Sequence, residues 1–468
     1  MKTNNDRTAM SGALRAFYIT RALVLMTTVF LAIGAIVLVG IFGVTKLLAV
    51  IAEKMEWAWL NISGTEWVGV LALLVIGLVV VMATAALLTL AERKWSAKMQ
   101  NRIGPNRARI IKGSGPWMGL PHVLADTVKM LTKEDFVPPA GNAFLFNLGP
   151  FMAMAPAFAL IAVVPFGPDL SAFGVDVRFQ AARLDFGMLW VFAIASLAVY
   201  GTTLAGWASN NKFSLMGALR ASAQMISYEV TLGLTLVGAF LLYESLQPMG
   251  IVAWQDGVLY GLPKWGVIYQ PVAFLFFIVA AFAEIKRAPF DLPEADPEIV
   301  GYFIEYSGMK FGIFMVSEFV ELVILSGIIV TLFFGGWSIP WLPYGELQAW
   351  LSGTAGLGDW GALLAAWIAL TVFAGKMMFF VWLQMLIRWS FPRFRYDQLM
   401  DVGWKMILPL SLVNVVITAV AVILDPSLKW ALGIGLVECL VFAGYYLSVK
   451  APARTDPLHA ETAHSHGH

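Results

Sequence analysis

Runs of about 20 predominantly apolar residues recur along almost the whole of this 468-residue chain, and no other feature constrains its folding so strongly. Inside hydrocarbon every backbone N–H and C=O must find a partner within the protein, so such runs span as helices. About ten stretches have the required length, at roughly 22–51, 67–91, 146–166, 187–208, 224–247, 266–288, 309–336, 360–388, 404–424 and 431–449. Only 13% of the residues are charged, where a soluble domain carries about 25%. The fold class that follows is all-α: a polytopic helical membrane protein of about ten transmembrane helices.

Orientation follows from the basic residues, which favour cytoplasmic segments. Placing the N-terminus in the cytoplasm gathers most of the 31 lysines and arginines in cytoplasmic segments, which predicts a multi-pass protein with both termini inside. Residues 1–21 are polar and basic, and the run 22–51 is too long for the apolar part of a signal peptide, so it reads as a retained helix. The cytoplasmic segment 92–145 is too long for a simple connection. Within it Trp117, Leu120, Leu124, Val128 and Leu131 recur at helical spacing, which predicts a helix lying on the membrane surface with its apolar face down. A second cytoplasmic loop, 285–310, carries Asp291, Glu294, Asp296, Glu298 and Glu305 between two apolar spans.

Several chemistries are excluded. The single cysteine, Cys439, can neither close an internal disulfide nor hold an iron–sulfur cluster, which takes about four thiolates. Neither a GxGxxG turn after a strand nor a GxxxxGK[ST] loop is present. Redox centres and a nicotinamide site therefore belong to partner chains, if the protein takes part in redox chemistry at all. No metal site is expected. The histidines of the tail (His459, His464, His466, His468) read as a solvated end in preference to a weak metal-binding tract.

Polarity is informative where it is expensive, and a charge near the centre of a span costs about 2.5–3.5 kcal/mol on insertion scales. Glu318 and Glu321 lie within 309–336, one turn apart on one face. Glu229 lies one to two turns inside 224–247, and Glu284 and Arg287 stand three apart at the end of 266–288, where an ion pair is possible. Lys376 stands 12 residues before Arg388, roughly 18 Å deep. Snorkelling or a structural ion pair explains Glu284 and Arg287 as well as function does. For Glu229, Glu318, Glu321 and Lys376 the depth favours function. With the acidic loop they make a file of protonatable groups entering the bilayer, which points to proton handling.

A series of motifs carries the reading further: AERKWSAKMQNRIGPNR (91–107), LADTVKMLTKED (124–135), SLMGALRASAQMISYE (214–229), AEIKRAPFDLPEADPEIVGYFIEYSG (283–308), FMVSEFVE (314–321) and PRFRYDQLMDVGWKMILPLSL (392–412). In kind and order this series resembles a membrane-subunit family of respiratory complex I, the NADH:quinone oxidoreductase, known as the H subunit in bacteria and as subunit 1 in mitochondria. The resemblance covers about residues 67–424. It implies an eight-helix core with one extra helix at each end: an N-terminal extension over 1–66, a quinone-chamber and proton-path core over 67–424, and a further helix with the His-rich tail over 425–468.

By the same resemblance, Arg93, Arg102 and Asp126 line the quinone chamber or its entrance, with Glu284, Arg287, Phe290 and Asp291 deeper inside. Glu229, Glu294, Asp296, Glu298, Glu305, Glu318, Glu321 and Lys376 build the proton path. Quinone, ubiquinone or menaquinone, is the implied substrate, and no cofactor is held by this chain alone. NADH, flavin and iron–sulfur clusters are expected on partner subunits. Those partners are the peripheral quinone-site subunits with the terminal cluster and the antiporter-like and small membrane subunits, in the inner membrane of a bacterium. Lipid is a further contact, and nucleic acid is not expected. Segment 108–118 is longer than the family's connection, Gly119-Leu120-Pro121-His122-Val123 stands where a GLLQP-like sequence is usual, and Asp296 stands where Glu is commoner. Three other readings stay open: a related membrane component of a proton-translocating hydrogenase or formate hydrogenlyase without a quinone site, a stand-alone transporter, and a structural anchor.

Overall fold

The computed structural model describes residues 64–108, 119–172, 175–292, 301–354, 357–425 and 427–448. The expected span 22–51, the longer connection at 109–118, the acids Glu294, Asp296 and Glu298, and the His-rich tail lie outside the described residues.

Helix α1 (Gly64–Met99) is 36 residues long. It ends where Asn101 takes a left-handed conformation (φ 58°) and the Arg102 N–H returns to the Ala97 carbonyl at 2.8 Å, a role asparagine tolerates better than most residues. Helix α2 (Pro121–Thr132) is amphipathic, opened by a proline whose missing N–H costs nothing there. Its Leu124, Val128 and Leu131 are exposed, an apolar stripe no other described part of the chain covers, as a surface helix requires. The expected start at Trp117 lies outside the described residues.

Helix α3 (Ala143–Ile161) is capped by Asn142, whose side chain accepts the N–H groups of Phe144 and Leu145. Helices α4 (Gly187–Ala195) and α5 (Leu197–Ala208) join at Ser196 into one span. Small residues let α3 and α5 meet closely: a methyl group added at Gly201 would stand 2.5 Å from the Ala153 backbone nitrogen. Helix α6 (Lys212–Tyr243) is 32 residues long, starting from the Asn211 cap. The polar stretch 214–223 is thus helical, and Glu229 lies roughly 26 Å along α6, mid-helix instead of near an end. The cap and the close packing of Gly217 on residues 301–302 hold that extension.

The expected span 266–288 is divided. A single turn, α8 (Gly266–Tyr269), stops at Gln270, and α9 (Pro271–Glu284) restarts with a proline and runs only 14 residues, roughly 21 Å. Irregular backbone at this depth needs protein partners. The Gln255 side chain accepts the Gly266 N–H at 3.0 Å, and the Gln270 side chain ties the break to a later helix, accepting from Asn414 Nδ2 at 2.9 Å and donating to Thr418 Oγ1 at 2.8 Å.

Helix α10 (Gly308–Phe333) is the axis of the bundle, with 72% of its most apolar stretch buried. It packs against α1, α3 and α12 (Asp359–Ser390). A short α13 (Tyr396–Asp401), a π-helical turn and α14 (Leu408–Leu424) form one further span, and α15 (Lys429–Ser448) follows. The helix α7 (Pro248–Gln255), the short α11 (Tyr344–Ala349) and two small antiparallel hairpins, β1–β2 (Leu170 paired with Val177) and β3–β4 (Val258 paired with Pro263), fill connections. Among the described residues seven spans are long and apolar enough to cross a bilayer, with α9 as a shorter eighth apolar helix. The polytopic all-α architecture stands, and the expected count of ten is not reproduced: α9 is cut short, α15 is not among the seven, and 22–51 lies outside the described residues.

Candidate functional site

At one end of the bundle α1, α9 and α12 finish, α10 begins, and the acidic loop leaves; this end is the acidic face. Helix α9 stops at Glu284, and the chain then turns through Lys286 in a left-handed conformation (φ 58°). The turn takes Arg287 off the helical path, so the i, i+3 pair anticipated between Glu284 and Arg287 does not form. Arg287 instead approaches Glu92 of α1 (Nη1–Oε2 3.4 Å) and Glu318 of α10 (Nε–Oε2 3.7 Å), with its guanidinium 4.0 Å from the Phe319 ring centre. Arg388 at the end of α12 pairs with the same Glu92. Glu92, Arg287 and Glu318 are all buried, so these charges compensate one another where water does not.

Beyond Arg287, Asp291 is 4% exposed and pairs with Arg393 at 3.1 Å. Burial nevertheless raises its carboxyl to about 7; the Arg393 guanidinium opposes the rise, and the Glu318 charge adds to it. Phe290 stacks on Phe394 at 5.4 Å, and Gln224 of α6 donates to both the Ala283 and Phe290 carbonyls at 2.8 Å. This clamp sets the height of the loop against α6.

One turn deeper, Glu229 of α6, Glu284 of α9 and Glu321 of α10 line one cavity of about 60 Å³. Its other walls are apolar, with Pro156, Val191, Met225, Phe277 and Ile324 among them. Ser196 lies beside Glu229, and the charges of Glu229, Glu321 and Lys286 act on Glu284. Glu318 and Glu321, placed on one face by the helical repeat, therefore serve different groups. Glu318 turns to the ion-pair cluster and Glu321 to the cavity. An oxygen of each of Glu284, Asp291 and Glu318 lacks a hydrogen-bond partner among the described residues.

A third group lies on the surface. Arg93 pairs with Asp126 of α2 at 2.5 Å, half-exposed, and Arg102 donates to the Gln100 side chain at 2.6 Å. His122 accepts the backbone N–H groups of Arg107 and Ala108, each at 3.2 Å, and so pins the RIGPNR segment to α2. Glu305 stands apart, bonded by Asn211 Nδ2 at 2.7 Å beside an open groove next to Pro138 and Pro139. Lys376 stands furthest off: its ammonium donates to the carbonyls of Phe334, Gly336 and Ser338, at the opposite end of α10.

Sequence reasoning missed Glu92, Arg388, Arg393, Lys286 and Gln224. Glu92 and Arg388 sit at span boundaries, where charge is ordinary, so only their mutual contact marks them. Lys286, 4% exposed, stands inside the 283–308 motif and carries its own signal, a cation next to the acids. Among the described residues no cluster of three or more histidine, cysteine or acidic side chains is arranged to hold a metal.

Residues 71–419 match the family model described as NADH dehydrogenase. The chain is similar to an H subunit of NADH-quinone oxidoreductase (the one numbered 1) from Geobacter metallireducens, with 45% identity over 72% of this chain and 92% of the relative. It is likewise similar to the H subunits of NADH-quinone oxidoreductase from Flavobacterium psychrophilum (42% identity over 73% of this chain and 94% of the relative) and Flavobacterium johnsoniae (41% over 77% and 96%).

Proposed function

The chain belongs to the NADH dehydrogenase family, and on that premise we propose that it lines the quinone-access chamber and begins the proton path of a bacterial proton-translocating NADH:quinone oxidoreductase. It is a membrane subunit of that enzyme complex. NADH, flavin and iron–sulfur centres belong to the partner subunits in this reading, and quinone is the substrate that reaches this chain.

The observation that carries the proposal is the meeting of Glu229, Glu284 and Glu321 from three helices on one cavity. Three carboxylates in an apolar pocket cannot all be charged without large cost, so protons reside there. About 60 Å³ admits on the order of four waters, enough to link the acids. The Arg287 cluster lies between this cavity and Asp291, so a change of charge on Asp291 is felt by Glu318 and through it by the cavity. Arg93, Arg102 and Asp126 are assigned to the chamber entrance, Arg287, Phe290 and Asp291 to its inner wall, and Glu284 to the junction. Glu294, Asp296, Glu298 and Glu305 are assigned to the loop end of the path.

Reduction of quinone to quinol consumes protons and alters the charge near the chamber wall. Asp291, holding a proton near neutrality, is placed to respond, and Arg287 is placed to redistribute its interaction between Glu92 and Glu318. The test is Glu321→Gln in the assembled complex reconstituted in vesicles. We expect electron transfer to an artificial acceptor upstream of quinone to persist and quinone-linked proton pumping to fall by about tenfold or more, since the amide does not titrate. Normal pumping per electron in Glu321→Gln and in Glu229→Gln would remove the cavity from the path.

A further inference from the structure

The end of the bundle opposite the acidic face is closed by a device that stands apart from the cavity of Glu229, Glu284 and Glu321. The last carbonyls of α10 are buried there and must all be satisfied. Gln255 donates to the Thr331 and Leu332 carbonyls (2.9 and 3.1 Å), and Tyr243 Oη donates to Leu332 at 2.6 Å. Beyond them the alternate carbonyls of Phe334, Gly336 and Ser338 converge on one point, with Gly335 and Gly336 both turned left-handed (φ 68° and 55°). The Lys376 ammonium fills that point, donating to Phe334 at 2.7 Å, Gly336 at 3.0 Å and Ser338 at 2.6 Å, so all three of its donors are used. The Trp265 ring lies 4.5 Å from the ammonium, and the Asp256 charge acts on it.

Phe334 lies thirteen positions after Glu321, roughly 20 Å along the helix. Ile324 and Ile328 end the cavity, and beyond them Val330, Leu332 and Phe333 are fully buried. Phe274 and Phe277 pack on Phe333, and Phe334 packs on Phe274 and Phe380, with ring centres 4.9–5.6 Å apart in these pairs.

We propose that Lys376 is the keystone of a seal: with the aromatic layer beneath it, its tethered ammonium holds three converging carbonyls dry and keeps protons and cations of the far face from reaching the acid cavity. An ammonium held at this point repels cations, and its three hydrogen bonds occupy a lone pair of each carbonyl that water would otherwise take. Charge held by Glu229, Glu284 and Glu321 therefore has no exit along α10 and must leave sideways or return. Lys376 is accordingly a positioning residue. The seal matters because of the cavity assigned to the proton path, but its integrity is measurable without turnover.

The experiment uses the whole complex in proteoliposomes without NADH or quinone, under an imposed potassium diffusion potential, with an internal pH dye. We expect Lys376→Ala to raise the passive proton leak by about tenfold. Lys376→Arg, which keeps charge and donors, should stay near the wild-type rate, and n-propylammonium supplied from the far face should close the leak of the alanine variant. An alanine variant as tight as wild type, or a leak that n-propylammonium leaves unchanged, overturns the proposal. If the alanine variant does not assemble, Trp265→Leu strips the cover from the ammonium and leaves its carbonyl bonds. A smaller leak is expected there, and a tight membrane overturns the seal. A leak in Lys376→Ala beside normal pumping in Glu321→Gln would keep the seal and discard the proton-path reading.

Discussion

Replacing Glu318 by glutamine separates electrostatic support from proton handling better than any other single change. The Glu318 and Arg287 side chains are 4% and 5% exposed and approach to 3.7 Å. At an effective dielectric of about 20 their attraction is about 4 kcal/mol. Most of that is offset by the cost of burying the carboxylate, which is several kcal/mol and vanishes in the amide. Arg287 also keeps Glu92 at 3.4 Å, so the cation is not orphaned. The net loss of stability in Glu318→Gln is therefore expected to be only about 1–2 kcal/mol. Arg287→Met is the opposite case: it removes the cation that faces both Glu92 and Glu318, and breaking a buried pair in that way costs about 3–5 kcal/mol. Thermal unfolding of the detergent-solubilised complex, followed by retention of this subunit, should rank Arg287→Met well below Glu318→Gln. Proton pumping per electron should nonetheless fall severely in Glu318→Gln and recover in part in Glu318→Asp. If the two variants are equally destabilised, or if Glu318→Gln pumps at the normal ratio, the reasoning fails.

Asp291 makes a pH prediction. In the folded protein it holds its proton to about 7, whereas the unfolded chain releases it near 3.8. Across that window the unfolded state binds fewer protons, so this group's contribution is full at low pH and is lost as pH rises through about 7. The unfolding temperature of the wild type should fall from pH 5 to pH 8 more steeply than that of Asp291→Asn. The half-exposed Arg93–Asp126 pair should contribute under about 1 kcal/mol. Asp126→Asn should accordingly leave assembly intact while raising the KM for quinone, and an unchanged KM would remove it from the chamber entrance. His122→Phe takes away the acceptor of the Arg107 and Ala108 N–H groups, whereas His122→Gln retains one; quinone KM should rise more in the first. For orientation, in a Cys439→Ser background, a cysteine at the exposed Ser390 should react with an impermeant reagent from the cytoplasmic side and one at the exposed Ser427 only from the other. The reverse pattern would invert the topology.

Much was legible in the residues alone. Apolar run length sets the all-α membrane architecture because hydrocarbon leaves the backbone no other way to bond itself. The cost of buried charge singles out Glu229, Glu318, Glu321 and Lys376 without any contact being known. Sequence also marks α2 as amphipathic, since one helix carries its own periodicity. What a single helix cannot carry is its rotation and height against its neighbours. Whether Arg287 pairs with Glu284 or with Glu92, 195 positions away, depends on α9 stopping at Glu284 and on a left-handed turn at Lys286. Glu318 and Glu321 share a face by period, yet packing gives one to an ion pair and the other to a cavity. Lys376 reads as one more deep charge in a row of deep charges. Only the meeting of α12 with the far end of α10 aims it at three carbonyls, roughly 20 Å from Glu321, because the direction of a side chain at a helix contact is fixed by the whole bundle and not by its neighbours in sequence.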